Sequence, residues 1–138
     1  MKLDLILRVT TKIILPFMLV FALYVHFHGD YGPGGGFQAG VIAAGMIILY
    51  AIIFGLDAAQ RVVSLATATF MVPLGVLIYG GTGLISFFYN ANYLDYSILA
   101  EKSKDGHHLG IILIEAGVLI TVAGTMITIF YAFLQRRR

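Results

Sequence analysis

Residues 32–45 read GPGGGFQAGVIAAG, a proline and three consecutive glycines set into one of the most apolar parts of the chain. Pro33 has no backbone N–H, and Gly34, Gly35 and Gly36 tolerate backbone angles that a side chain forbids, so the chain can turn sharply and re-enter a helix at once. In a soluble protein such a stretch is an ordinary surface turn. Here it separates two apolar runs of membrane length, which predicts a shaped turn at a helix interface. Gly36, Gly40 and Ala44 recur every four positions, so they share one helical face on which a neighbouring helix can approach closely.

Composition sets the class. Of 138 residues, 59% are hydrophobic and only 12% charged, which leaves too little polar surface for a soluble domain. The absence of cysteine excludes disulfides, thiolate metal sites and cysteine nucleophiles. No basic run is interleaved with aromatics, so nucleic acid is not an expected partner.

Four apolar runs predict an all-α integral membrane bundle forming a single domain over residues 1–138, with spans at about 9–27, 38–56, 65–88 and 109–134. The first run begins with Arg8 and Lys12 at an interface. It is followed by no A-x-A cleavage pattern, so it reads as a retained anchor and not a signal peptide. Pro16 disrupts the helical bond to residue 12 and predicts a kink there. The second run ends at Asp57, and a short polar link over residues 57–64 carries Arg61 into the third. Pro73, Gly75, Gly80, Gly81 and Gly83 predict a kinked or loosely wound third span. Residues 89–108 form the longest polar loop.

Basic residues orient the spans. With both termini cytoplasmic, that side collects Lys2, Arg8, Lys12, Arg61, Arg136, Arg137 and Arg138, seven of nine basic residues, and leaves Lys102 and Lys104 outside. The terminal arginines read as a topology anchor or a contact with anionic membrane lipids.

No enzyme constellation fits this topology. His26, His28, His107 and His108 all fall near the outer ends of helices, but without an HxH, HExxH or cysteine pattern they read as interface histidines and not as a metal site. The glycine cluster lacks the lysine of a phosphate loop, since Phe37 and Gln38 follow it. Glu115 is the one acid inside a span, about 9 Å along its helix from Leu109. An ionised acid at that depth is costly unless paired, solvated or protonated, so it should face the bundle or another subunit. Two readings stand beside each other: a carboxylate that handles protons or cations, and a neutral acid hydrogen-bonded between helices. His108 lies one heptad earlier on about the same face, and Lys12 is the remaining ion-handling candidate, with snorkelling to the interface as its plainer role. Gly110, Gly117 and Gly124 form a separate seam at sevens, so the last helix should carry two packing faces. One glutamate, one interfacial lysine and one glutamine are too few for an ion-coupled transporter that works alone. The chain reads as a part of something larger.

His28-Gly29, then Pro33-Gly34-Gly35-Gly36-Phe37-Gln38 and Gly40, with Ile114-Glu115-Ala116-Gly117-Val118 in the last helix, closely resemble the MrpB (MnhB) subunits of multi-subunit Mrp-type cation/proton antiporters, over about residues 8–133. Two departures are visible. Ala39 stands where that family often has glycine, and Asp30 where a second histidine is common, so no role for a loop histidine is carried over. The resemblance implies a small, non-enzymatic, cofactor-free subunit of a hetero-oligomer in the bacterial plasma membrane. Its partners would be the other antiporter subunits, membrane lipids, Na+ and H+. The implied roles are assembly and a share in the cation route, in complexes similar to the membrane arm of respiratory complex I that support sodium tolerance and cytoplasmic pH. Alternatives are the equivalent subunit of a membrane-bound hydrogenase or other redox-driven complex, and a stand-alone four-span transporter. The last would place its essential glutamate in the first helix, which has no acid after Asp4.

Overall fold

The structure, a computed structural model, describes residues 2–29, 31–99, 101 and 103–136. Asp30, Lys102, Arg137 and Arg138, on which parts of the loop and charge readings rest, lie outside the described residues. The helices are α1 (Lys2–His28), α2 (Gly36–Phe54), α3 (Leu56–Val62), α4 (Leu65–Phe88) and α5 (Ser103–Gln135), with a 3-10 turn at Tyr96–Leu99 and no strand among the described residues. Four of them, α1, α2, α4 and α5, are long and apolar enough to cross a membrane. Both α1 and α4 are helical straight through their prolines, Pro16 and Pro73.

Several boundaries differ from the sequence reading, beginning with α1 and α2, which start at Lys2 and Gly36 and not near residues 9 and 38. The second span stops at Phe54, because Gly55 takes φ 96°, open to glycine and strained for other residues. The link that follows is wound into α3, whose Leu56 and Ala59 are buried three residues apart while Asp57 and Arg61 stay exposed. At the other end, α5 begins at Ser103, so the last part of the polar stretch 89–108 is helical and extends the fourth span outward.

The spans form a row more than a closed bundle. α1 packs on α2, α2 on α5, and α5 on α4, leaving α1 and α4 at the two ends. Both inner contacts rest on missing side chains. A Cβ at Gly36 would strike the backbone carbonyl of Glu115, and one at Gly40 would come within 2.9 Å of the Leu119 carbonyl and Val122 Cβ. On the other face of α5, a Cβ at Gly117 would lie 2.7 Å from the Gly75 carbonyl, and one at Gly124 2.7 Å from the Ala68 carbonyl. Without a hydrophobic drive between helices in lipid, such close backbone approach is what holds spans together. The two packing faces expected of the last helix are therefore present. Gly110, the third member of the seam, meets the Tyr96 ring instead of a helix.

Polar groups close the ends. Ser64 caps α4 by accepting from the Thr67 N–H at 3.0 Å. The buried Tyr131 hydroxyl donates to the Val63 carbonyl at 3.0 Å, fixing α5 to the α3–α4 link. At the opposite end Ser86 donates to the Asp95 carbonyl at 2.9 Å. Asp95 accepts from the Ser97 hydroxyl at 2.6 Å and backbone N–H at 3.1 Å, bonds that hold its carboxyl below the usual carboxylate range. Phe17, Val20 and Phe21 on α1 and Leu77, Phe87 and Phe88 on α4 are exposed, as suits helices that face lipid or another subunit.

An even number of spans puts both termini on one side, and the basic residues predict that it is the cytoplasmic side. Val62 and Asn92 are exposed at opposite ends of α4. In this cysteine-free chain, Asn92→Cys is expected to react with an impermeant thiol reagent in intact cells, and Val62→Cys only after permeabilisation. The reverse pattern would invert the topology.

Candidate functional site

The glycine-rich turn folds back on the end of α1. Gly35 N–H donates to the Val25 carbonyl at 3.1 Å, and the N–H groups of Tyr31 and Gly32 donate to the His28 carbonyl at 3.0 and 3.2 Å. Gly35 has φ 123°, a conformation that a Cβ would strain, and from there the chain starts α2 directly, with Ala39 N–H donating to the Gly35 carbonyl at 3.1 Å. The first turn of α2 is thus formed against α1 and α5, with its backbone N–H groups at the positive end of the helix dipole.

Glu115 lies in this corner. A methyl group added to Gly29 would sit 2.6 and 2.8 Å from its two carboxyl oxygens, and one added to Gly35 would sit 2.9 Å from Oε1. The space the two glycines leave open is the space the carboxyl fills. Gly36 contacts the backbone of the same glutamate, and Gln38 brings its Oε1 to 3.7 Å from the Cβ position of Gly35. A carboxylate beside the N-terminal end of a helix is electrostatically favoured, which offsets part of the cost of its depth. Glu115 is half-buried.

The other expected residues separate. Gly36, Gly40 and Ala44 line the α2 face against α5, and Ala44 is fully buried. Pro33 and Phe37 are exposed, so within the chain they shape the turn without entering its contacts with Glu115. His108 is exposed two turns outward on α5, its ring 6.3 Å from that of Tyr31, and with Lys104, Asp105 and His107 it lines a shallow depression above the site. Lys12 sits elsewhere. Its Nζ is 5.7 Å from the Phe54 ring centre, beside Arg8 at 5.8 Å, and it is about 25 Å along α1 from Gly29. Glu115 and Lys12 therefore cannot pair within this chain.

The histidines also divide. His28 is half-buried and stacked on Tyr24, ring centres 5.2 Å apart, with its Nε2 3.1 Å from the Cβ position of Gly32. His26 is only 7% exposed, and its Nδ1 has no hydrogen-bond partner, so its ring is packed within the chain at the outer end of α1. The signal was in the sequence: Thr11, Ala22 and His26 are the buried positions of α1, spaced as one helical seam. Gly29 entered the sequence reading only as part of the resemblance, without a place at the site, because its partner lies 86 positions further along the chain. Among the described residues no group of three histidines or acids is placed to hold a metal ion.

Compared with known proteins, residues 6–128 match the family model described as a domain related to the MnhB subunit of Na+/H+ antiporter. A protein of Staphylococcus haemolyticus (strain JCSC1435), provisionally named antiporter subunit mnhB2, is 32% identical over 136 residues, covering 94% of this chain and 93% of that protein. Similarly named proteins of Staphylococcus epidermidis (strain ATCC 12228 / FDA PCI 1200) and Staphylococcus aureus (strain Newman) are 29% identical over 129 residues, with 91% of each chain covered.

Proposed function

We propose, from the premise that this chain belongs to the family of the MnhB subunit of Na+/H+ antiporters, that its Glu115 corner is a station on the ion route of the complex. The chain is a small multi-pass subunit of such an antiporter in the plasma membrane, a component of a transporter and not a catalyst in its own right. Its partners are the other subunits of the complex, and Na+ and H+ are the cargo.

The observation that carries the reading is the seat of the Glu115 carboxyl between Gly29, Gly35 and the start of α2. One carboxyl can hold a proton covalently or, once ionised, a monovalent cation, but not both at full strength. A proton raises the cost of cation binding, and a cation favours the ionised form. This mutual exclusion is the elementary requirement of exchange. The α2 N-terminus favours the ionised state without supplying a fixed countercharge, so the site can still pass between its two loads. Partner subunits must complete the route, because no second acid lies within the described spans at this level.

In vesicles from a host without its own Na+/H+ antiporters, omission of this chain from an otherwise complete set of subunits is expected to abolish exchange. Full exchange by a complex shown to lack it would overturn the proposal.

A further inference from the structure

Burying an imidazole nitrogen with no hydrogen-bond partner is costly, so such an atom in a packed helix seam calls for a use. His26 Nδ1 is such an atom. Its residue lies one turn before Gly29 on α1, and the Gly29 N–H approaches the His26 carbonyl at 3.5 Å. The Glu115 carboxyl lies 2.6 and 2.8 Å from where a Gly29 side chain would begin, three residues after His26 in the turn that ends α1. His26 Nδ1 makes no direct hydrogen bond, to Glu115 or to any other described group, which leaves a bridging water as the link between them.

We propose that His26 is the second proton-carrying group of this site and exchanges a proton with Glu115 through one water. The inference rests on the reading of Glu115 as an ion-handling carboxyl. In the step, the Glu115 Oε–H bond breaks and its proton passes to the water, while a water proton passes to the Nδ1 lone pair. A carboxylate, an intact water and an imidazolium result, and the carboxylate is free to take Na+. The imidazolium later releases its extra proton toward the aqueous side and returns to neutral imidazole.

The titratable groups at this level are few. Among the described residues they are Tyr24 and His28 on α1, Tyr31 in the turn, Tyr79 on α4, and His108 and Glu115 on α5, with none in the outer half of α2. Tyr24 and His28 are stacked on each other, and His108 stands against Tyr31 nearer the outer surface. Of the imidazoles on this side, His26 alone combines burial below a tenth exposed with an open acceptor.

The test uses the whole complex in inverted vesicles at matched complex levels. His26→Asn keeps a polar atom near the Nδ1 position but cannot titrate. It is expected to assemble and to lower exchange at least about tenfold or to remove a titration from its pH profile. The double variant His26→Asn/Glu115→Gln should be no slower than Glu115→Gln alone, since both interrupt one path. Na+ addition to the purified complex should also produce an infrared difference signal from imidazole that His26→Asn removes. If His26→Asn shows the wild-type rate, pH profile and infrared signal while Glu115→Gln is impaired, the relay is wrong and the carboxyl reading stands. If Glu115→Gln is itself unimpaired, the carboxyl reading falls and the relay with it. A His26→Asn complex that does not assemble is replaced by His26→Gln, judged by the same rate and infrared signal.

Discussion

Gly36→Leu is expected to remove most of the intact complex from the membrane. The position offers no room even for a methyl group, because the first side-chain atom would run into the backbone carbonyl of Glu115. A flexible side chain in the way could swing aside, but a helix carbonyl cannot, so α2 and α5 must separate along their whole contact. Overpacking of a core costs about 1–3 kcal/mol when the neighbours are side chains and more when they are backbone. At about 1.4 kcal/mol per tenfold, 3 kcal/mol already lowers an equilibrium population more than about a hundredfold. Gly40→Leu should act in the same direction, since its Cβ would meet the Leu119 carbonyl and Val122 Cβ at 2.9 Å. Gly80→Leu and Gly81→Leu provide the control, as no described residue reaches within 4 Å of a Cβ at either place. The readout is the amount of complex on a native gel. Normal amounts with Gly36→Leu and Gly40→Leu would show that close approach of α2 and α5 does not hold the chain together.

This contrast between glycines marks what could be read from the sequence. The row Gly36, Gly40, Ala44 was visible because helical spacing is local, and it lies in the α2–α5 contact. Gly117 and Gly124 were visible as a seam for the same reason, and they meet α4. The four spans followed from apolar length alone. The order α1, α2, α5, α4 did not, because one span's pattern says which face is crowded but not which neighbour crowds it. The short helix α3 was hidden by its charges, since Leu56 and Ala59 amount to a single turn of periodicity within a polar link. At the site, Glu115 stood out by its depth and the glycines by their number. That the glycines are absent side chains shaped around the glutamate is a relation between residues 29–36 and 115, legible only once α5 is laid beside α2.

That relation makes Glu115→Gln a sharp experiment. Glutamine has nearly the same shape, and its amide oxygen can accept hydrogen bonds as the carboxyl does, so the complex should assemble. It cannot bind a proton in the working pH range or carry the charge that attracts a cation. Exchange is therefore expected to fall at least about tenfold, or to lose the part of its pH dependence that belongs to this carboxyl. Glu115→Ala should also weaken assembly, because it leaves the corner between Gly29 and Gly35 empty and its polar neighbours unpartnered. A third variant separates charge from position. Gly29→Ala leaves Glu115 in the chain but places a methyl group 2.6 Å from where its Oε1 now lies and 2.9 Å from the Gly35 Cα, so both the carboxyl and the turn must shift. If the seat matters, Gly29→Ala lowers exchange per assembled complex as Glu115→Gln does, although the acid remains. If only packing matters, Glu115→Gln exchanges at the wild-type rate with the wild-type pH profile, and Glu115 is then a structural acid that ties α5 to the turn.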